Sequence, residues 1–458
     1  MRATPVRNST AEWQALDRAH HMHPFTDTAL LNREGVRIIA KAEGVHIWDS
    51  EGRRLIDGMA GLWCVNLGYA RRELAEAAYR QMLELPYYNT FFKTATPPSV
   101  ELSKVLVELT PEGLNHVFYA SSGSEANDTI VRLVRHFWNL MGRSAKKTII
   151  GRTYGYHGST MMTASLGGLA AMHAQADLPL PGVVHIMPPY WYGLGGEMDP
   201  ADFGLLAARK LEQKILELGP ETVAAFIAEP IMGAGGVIIP PQTYFPEIQR
   251  ICRQYDVLLI ADEVIGGFGR TGRWFASEHF DLQPDFITLA KGITSGYLPL
   301  SAVMVGDRVA DTLIAGGELA HGFTYSGHPV ACAVALENIR ILKEEGIVER
   351  VATETGPYLQ RRLKELQSHP LVGEVRGLGF IAAIELVQDK GRRQFFDPIG
   401  EVGQICRDHC FANGIVMRAT RDTMLLSPPL VMTRGDIDEL VEATKKCIDL
   451  TARDVARR

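Results

Sequence analysis

Between about residue 60 and residue 330, short runs of apolar residues alternate with longer amphipathic stretches. The runs are almost continuously apolar, which is typical of parallel strands that are buried on both faces. The stretches between them carry apolar residues at helical spacing, as in Asn127–Trp138. This alternation predicts an α/β domain with a mostly parallel, seven-stranded sheet. The seven runs are His116–Ala120, Lys147–Gly151, Val183–Met187, Val223–Ala228, Val257–Ala261, Phe286–Ala290 and Ala302–Val305.

After His328 the pattern changes to long helical stretches with short strand-like segments between them. Near the N-terminus, Arg37–Ile47 has the pattern of a possible hairpin. At 458 residues, the chain is long enough for two closely packed domains. Helices are predicted at 330–345, 357–366 and 435–450, and strands at Gly379–Leu386 and Ile415–Met417. We predict an N-terminal segment 1–58 that packs with the small domain, a large domain 59–329 and a smaller α+β domain 330–458.

The composition excludes several classes of protein. The net charge is −6, and the lysines and arginines are dispersed, so nothing favours binding to nucleic acid or an anionic membrane. The segment Met1–Thr10 lacks the apolar core of a secretory signal, and no apolar run is long enough to span a bilayer. The six scattered cysteines are typical of reduced thiols. We therefore predict a soluble, cytoplasmic protein.

Two groups of residues have metal-ligand chemistry. Cys406 and Cys410 lie one helical turn apart, but no second pair completes a zinc site. His20, His21 and His23 also resemble ligands, although we favour their interpretation as part of a flexible N-terminal arm. No metal site is predicted.

Two charged residues directly follow apolar runs: Asp262 after Val257–Ala261, and Lys291 after Phe286–Ala290. In open α/β sheets, ligands bind outside the carboxyl ends of the strands. Taken singly, Asp262 could be a helix cap and Lys291 a lysine that reaches water. Together they match the requirements of pyridoxal phosphate, which needs a lysine that forms a Schiff base and a carboxylate that pairs with its ring nitrogen.

A third motif, Phe118–Asn127, has the pattern of a strand, a turn of small residues and a helix. The backbone N–H groups of Ser122, Gly123 and Ser124 would point out of the helix N-terminus and form an anion site. The same residues could equally form an ordinary helix cap. The glycine-rich loop after Asp262 lacks the spacing of a dinucleotide fingerprint, which argues against a nucleotide-dependent oxidoreductase.

Two more strand ends carry candidate groups. Tyr156, in the segment Tyr154–Gly158, could stack on a planar cofactor ring or simply pack in a turn. Glu229 places another carboxylate at the end of Val223–Ala228.

The order and spacing of these motifs strongly resemble the class III aminotransferases, from about Pro24 to Leu450. The most specific stretch begins at Leu259, includes Asp262 and Gly269–Gly272, and ends at Lys291-Gly292. Ser121–Asn127 and Tyr156–Gly158 match as well. The resemblance implies the aspartate-aminotransferase-like fold, type I of the pyridoxal-phosphate-dependent transferases. It also implies a homodimer, possibly a homotetramer, with active sites at the subunit interface.

The resemblance assigns roles to individual residues. Lys291 would be the Schiff-base lysine and Asp262 the partner of the ring nitrogen. Thr324 would reach the phosphate of the neighbouring subunit's cofactor. The remaining cofactor-binding residues would be Val264 and Tyr156 on the two ring faces, Ser122, Gly123 and Ser124 at the phosphate, and His157 and Glu229.

Asp57–Cys64 and Tyr88–Thr94 most resemble the amine:pyruvate branch of the family. In that branch Trp63, Phe91, Phe25 and Tyr156 would line an aromatic substrate pocket. The competing interpretation is that these rings fill core near a dimer interface. Arg418 matches the mobile arginine that binds the carboxylate of the keto acid, although Arg421 is a rival for this role.

The implied activity is a ping-pong transamination from a primary amine, diamine or ω-amino acid to pyruvate, giving an aldehyde or ketone and alanine. Within the family, the alternatives are a 4-aminobutyrate or ornithine-type transaminase that uses 2-oxoglutarate, a semialdehyde aminomutase, and a decarboxylating transaminase. A cofactor-free scaffold would leave Lys291 and Asp262 unexplained. The identity of the amino donor stays open.

Overall fold

The computed structural model describes residues 8–457, so the first seven residues of the predicted N-terminal segment lie outside the described residues. Helix α1 (Thr10–His20) begins with a capping box between Ser9 and Glu12. The structure confirms the predicted hairpin, displaced slightly along the chain. The next elements are helix α2 (Thr28–Glu34) and three antiparallel strands, β1 (Ile39–Glu43), β2 (His46–Asp49) and β3 (Arg54–Asp57).

A seven-stranded sheet forms the centre of the molecule, as predicted. Its order is β4-β10-β9-β8-β7-β5-β6, and only β10 runs antiparallel to its neighbours. Because a single strand is reversed, the other six direct their carboxyl ends to one edge of the sheet. The strands are β4 (His116–Ala120), β5 (Thr148–Arg152), β6 (Val183–Ile186), β7 (Val223–Ala228), β8 (Leu258–Asp262), β9 (Phe286–Leu289) and β10 (Ser301–Val305).

Helices cover both faces of this sheet. The predicted helix Asn127–Trp138 is confirmed as part of α6, which buries Ile130, Val134 and Phe137 against one face. Helices α10 and α11 pack on the other face. In chain order the helices are α3 (Ala60–Trp63), α4 (Arg72–Glu84), α5 (Pro97–Leu109), α6 (Gly123–Leu140), α7 (Met161–Leu166), α8 (Ala170–Ala176), α9 (Trp191–Leu194), α10 (Pro200–Leu218), α11 (Tyr244–Gln254) and α12 (Asp307–Ala315), with 3-10 turns at Ala276–Phe280 and Lys291–Thr294.

The C-terminal part contains a four-stranded antiparallel sheet in the order β11-β12-β15-β14. The predicted helices, and the strands at Gly379–Leu386 and Ile415–Met417, are present with shifted ends. The elements are α13 (Pro329–Glu344), α14 (Ile347–Arg350), a π-helical turn (Val351–Thr355), α15 (Gly356–Lys364), a 3-10 turn (Glu365–Ser368), β11 (Val372–Leu378), β12 (Ile381–Leu386), α16 (Glu401–Ala412), β13 (Ile415–Val416), β14 (Arg418–Thr420), β15 (Thr423–Leu426) and α17 (Arg434–Val455).

The two ends of the chain share a sheet, because β3 pairs in parallel with β13. The largest hydrophobic cluster also joins Ala261 and Leu289 of the central sheet to Phe380 and Leu426 of the C-terminal part. The domain boundaries at residues 58 and 329 stay predictions. Within residues 8–457, no helix is both long and apolar enough to cross a membrane.

Candidate active site

A cavity of about 300 Å³ lies at the carboxyl ends of the central strands. Nine of the predicted site residues line it, although they come from five separate stretches of the chain. A larger cleft of about 800 Å³, between the glycine-rich loop and the helices after α13, contains no predicted site residue. The nine residues in the smaller cavity are Ser122, Gly123, Ser124, Tyr156, His157, Glu229, Asp262, Val264 and Lys291.

Asp262, the last residue of β8, is held by three hydrogen-bond donors and is only 4% exposed. Its Oδ2 accepts hydrogen bonds from Nδ2 of Asn127 at 2.9 Å and from Nδ1 of His157 at 2.8 Å. Its Oδ1 accepts the backbone N–H of Val264 at 3.1 Å. Because an ionised carboxylate only accepts hydrogen bonds, His157 carries a proton on Nδ1. The carboxylate is therefore fixed in orientation.

Lys291 directly follows β9 and Ala290, and its φ of 48° lies in the left-handed region. A lysine held there is strained by roughly 1 kcal/mol, and such strain is concentrated at functional sites. Burial lowers the pKa of Lys291, while the charge of Asp262 opposes that shift and the positive charge of Arg418 adds to it. A lowered pKa favours the neutral amine, which is the nucleophilic form of a lysine.

The first turn of α6 lies against Val264. A Cβ added to Gly123 would be only 3.0 Å from Cγ2 of Val264, so a larger residue would fit only if the side chain of Val264 moved. The hydroxyl of Ser122 accepts the N–H of Glu125 at 3.2 Å, which confirms the helix-cap interpretation. The anion-binding interpretation stays a prediction. A helix cap and an anion site are compatible here, because other backbone N–H groups in the first turn of α6 have no partner within the helix.

The carboxylate of Glu229 holds the segment that carries Tyr156. Its Oε1 accepts the backbone N–H of Tyr156 at 3.1 Å, and its Oε2 accepts that of Gly233 at 2.8 Å. Burial raises the pKa of Glu229. The hydroxyl of Tyr156 lies 3.0 Å from that of Ser159. Glu229 therefore acts mainly on the backbone around the predicted ring-stacking residue.

Five predicted residues lie outside this cavity. Trp63 is 2% exposed, and its Nε1 has no hydrogen-bond partner among the described residues. Phe25 is exposed, whereas Phe91 packs against Gly322. Thr324 is exposed, and its carbonyl accepts a hydrogen bond from Tyr87 at 2.6 Å. The fifth, Arg418, lies close enough to lower the pKa of Lys291.

The two rival arginines have different surroundings. Arg421 donates a hydrogen bond to the carbonyl of Gly235 at 3.0 Å and stacks on the ring of Tyr154 at 4.4 Å. The side chain of Arg418 makes no hydrogen bond or ion pair with any residue in the described range 8–457, and burial lowers its pKa. Arg418 is half-buried, and a partly desolvated guanidinium without a partner is costly. The geometry therefore favours Arg418 as the group that awaits an anion.

Sequence reasoning missed the role of Asn127. This fully buried amide donates to Asp262 and also to the carbonyl of His157 at 2.8 Å. Its Oδ1 accepts the hydroxyl of Thr288, on β9, at 2.6 Å. The available signal was a polar residue on the apolar face of α6, between Ala126 and Ile130. Such a residue needs a partner when it is buried.

These residues fit pyridoxal phosphate. The cavity contains a lysine of lowered pKa, a fixed carboxylate and the start of a helix. His157, also in the cavity, has a buried Nε2 without a partner among the described residues. Gly123 keeps the space beside Val264 free of a side chain. The fold and the site together define a pyridoxal-phosphate-dependent transferase of fold type I.

Comparison with known proteins gives the family. The model of the class III aminotransferases matches residues 31–448, and the chain belongs to this family, as its motifs predicted. A putrescine–pyruvate aminotransferase from Pseudomonas aeruginosa is 61% identical over 446 residues, covering 97% of this chain and 98% of that protein.

Two solved structures have the same fold over nearly the whole chain. An (S)-enantioselective omega-transaminase from Thermomicrobium roseum has a TM-score of 0.94 and 44% identity, covering 97% of this chain and 99% of that one. An omega-transaminase from Pseudomonas jessenii, in complex with PMP, has a TM-score of 0.94, 44% identity and the same coverage. The type I fold predicted from the sequence is thereby confirmed.

Proposed function

We propose that this enzyme transfers the amino group of a primary amine, a diamine or an ω-amino acid to pyruvate, in two half-reactions at one site. The observation that carries the proposal is Arg418, whose side chain interacts electrostatically with Lys291 and Tyr156 and has no hydrogen-bond or ion-pair partner among the described residues. The similarity to a putrescine–pyruvate aminotransferase and to omega-transaminases supports it. A 2-oxoglutarate-dependent transaminase or an aminomutase of the same family is less well supported.

When bound, pyridoxal phosphate supplies a carbonyl that condenses with amines and a ring that withdraws electrons from the reacting carbon. Asp262 is placed to accept a hydrogen bond from a protonated ring nitrogen, with its orientation fixed by Asn127 and His157. The Nζ of Lys291 would hold the cofactor covalently. The other proposed binding residues are Ser122, Gly123 and Ser124 for the phosphate, and Val264 and Tyr156 for the two ring faces.

Once displaced, the amine of Lys291 is the proposed acid and base. It removes the proton from the reacting carbon of the donor and later returns one. Burial lowers the pKa of Lys291, so a larger fraction of the amine is neutral and able to accept that proton. The charge of Asp262 opposes this shift, so the pKa of Lys291 depends on the balance between burial, which lowers it, and the nearby carboxylate, which raises it.

Arg418 provides the distinction between the two substrates. Pyruvate carries a carboxylate, which a guanidinium binds in a bidentate manner. A simple amine carries no such group, and its apolar part would lie beside an unpaired charge unless the arginine moved away. Because the side chain of Arg418 has no hydrogen-bond or ion-pair partner among the described residues, no such contact must be broken when this side chain moves.

We also propose a cytoplasmic homodimer with active sites at the interface. Tyr88, Phe92 and Tyr325 are exposed large side chains in the two segments that carry Phe91 and Thr324. Exposed apolar groups of this kind mark an interaction surface. In a dimer, this surface would bring Thr324 and the aromatic residues Phe25 and Phe91 to the neighbouring site.

A panel of donors tests the proposed activity. Putrescine, β-alanine, taurine and an aromatic amine are each assayed with pyruvate and with 2-oxoglutarate. We expect alanine formation from pyruvate with at least one donor that has no carboxylate. Turnover with 2-oxoglutarate alone would instead identify a 4-aminobutyrate or ornithine type, and isomerisation of one substrate without an acceptor would identify an aminomutase.

Arg418→Ala tests the carboxylate site. The half-reaction with pyruvate should weaken by about 1.5–3 kcal/mol, the scale of a hydrogen bond to a charged group. The half-reaction with an amine that lacks a carboxylate should be nearly unchanged. Single-turnover measurements separate the two halves, and Arg421→Ala is the matched control. Equal losses in both halves would make Arg418 structural, and a pyruvate-specific loss in the control would transfer the role to Arg421.

A further inference from the structure

Three side chains meet at the end of α1, far in sequence from the residues that line the cavity. Nδ1 of His21 lies 3.0 Å from Oδ1 of Asp17. Nε2 of His23 lies 2.9 Å from the same oxygen and 3.0 Å from Oδ2. The sequence offered only the histidines as ligand-like residues, and the structure adds the carboxylate between them.

The backbone at the end of α1 produces this cluster. The N–H of His21, the C-cap residue, donates to the carbonyl of Asp17 at 2.8 Å, so the two side chains are stacked one helical turn apart. The chain then becomes extended at His21, with φ −116° and ψ 125°, and this brings His23 back to the carboxylate. The imidazole rings of His21 and His23 are 4.2 Å apart.

We propose that Asp17, His21 and His23 bind a divalent transition-metal ion, with Zn²⁺ as the best match. The three donor atoms lie within 4.8 Å of one another. Ligands around a tetrahedral Zn²⁺ at about 2.0–2.1 Å are roughly 3.3 Å apart, so the two histidine nitrogens, at 3.0 and 2.9 Å from Oδ1 of Asp17, need only move away from that oxygen by a few tenths of an ångström. Two imidazoles and one carboxylate suit Zn²⁺ better than Ca²⁺ or Mg²⁺, which prefer oxygen ligands.

The proton balance is simple. Each neutral imidazole keeps one proton, which moves to the ring nitrogen that faces away from the ion, and the lone pair then points to the metal. The side chain of His21 is 61% exposed, so the ion has direct access from solvent, whereas that of Asp17 is only 14% exposed and is held in place. Water completes the coordination of a site with three protein ligands.

Metal binding at this position would join the end of α1 to the residues that follow it. The segment leads through Pro24 to Phe25, which we place in the substrate pocket of the proposed enzyme. A bound ion would therefore order the chain immediately before a predicted substrate contact. The metal site itself does not depend on the proposed reaction.

Isothermal titration of the untagged holoenzyme with Zn²⁺ tests the proposal, after chelator treatment and removal of free cofactor. We expect one Zn²⁺ per chain in the wild type. Asp17→Asn, His21→Ala and His23→Ala should each weaken binding at least tenfold, because each removes one ligand. His20→Ala is the matched control, since the neighbouring exposed His20 is not part of the cluster, and its affinity should equal that of the wild type.

Hydrogen exchange gives a second readout that does not depend on activity. Zn²⁺ should slow exchange of the backbone amides of residues 21–23 and of Phe25 in the wild type and in His20→Ala, but not in His21→Ala. Absence of one-to-one binding in the wild type would overturn the proposal. It would equally fail if the three ligand variants bound Zn²⁺ as the wild type does, which would place the ion on other residues such as the cysteines.

Discussion

Asp262→Asn is the sharpest test of the active site, because the substitution keeps the shape of the side chain and removes its charge. All three contacts of Asp262 are donors: the amide of Asn127, Nδ1 of His157 and the N–H of Val264. An asparagine has one oxygen and one NH₂ group. If the asparagine oxygen faces Asn127 and His157, its NH₂ group faces the N–H of Val264, which is one opposed pair of donors. The reverse orientation is worse, because the NH₂ group then faces two donors.

The expected magnitudes follow from this geometry. One opposed pair of donors should cost about 1–3 kcal/mol of folding free energy, partly offset because a buried charge is removed. Catalysis should lose more, since a neutral amide cannot stabilise a protonated ring nitrogen. We expect a 10²–10³-fold fall in turnover, or about 2.7–4 kcal/mol of transition-state stabilisation.

The assay is single-turnover kinetics of the amine half-reaction, on protein shown to be folded and loaded with cofactor. Glu263→Gln is the matched control. Its carboxylate is adjacent in sequence and equally buried, but it accepts the N–H groups of Ala276 and Ser277 outside the cavity. The control should stay within a few-fold of the wild type. An Asp262→Asn enzyme that also stays within a few-fold would remove Asp262 from the mechanism.

Three further predictions concern the same region. Lys291→Ala should lose essentially all turnover and the lysine-linked chromophore that borohydride would trap in the wild type; a trapped lysine in the variant would show that the assignment is wrong. Gly123→Ala should weaken cofactor retention at least tenfold in equilibrium dialysis, because the added Cβ would lie 3.0 Å from Val264. The control is Gly435→Ala near the start of α17, where the nearest atom would lie 3.7 Å from the added Cβ, and this variant should retain the cofactor as the wild type does. Burial raises the pKa of Glu263 from 4.5 to about 7. Between pH 4.5 and pH 7 the folded state therefore binds more protons than the unfolded state, and the free energy of unfolding falls as the pH rises. Relative to Glu263→Gln, urea titrations should show the wild type losing about 3 kcal/mol over this range, and parallel stability curves would contradict that pKa.

Much of the fold was predictable from local pattern. Strands β7, β8, β9 and β10 of the central sheet are buried throughout, so their apolar runs are continuous and easily distinguished from the helices. In the C-terminal part, β11, β14 and β15 were missed. Strand β11 contains Glu374, Arg376 and two glycines, and β14 is only three residues long, so neither has a clear period. Their pairing partners, and not their own residues, make them strands.

The sequence by itself determined which groups stand at the strand ends, because a charge after a buried strand is visible as a break in an apolar run. It located Lys291 and Asp262, and their order indicated the family. Tertiary structure alone decided what those groups touch. Asn127 is 135 positions from Asp262 along the chain, and Asp17 meets His23 only through the turn at the end of α1. Only the surroundings distinguish Arg418 from Arg421, since the two arginines are chemically identical and three residues apart. Partners, burial and pKa depend on distances through space, and the fold sets those distances.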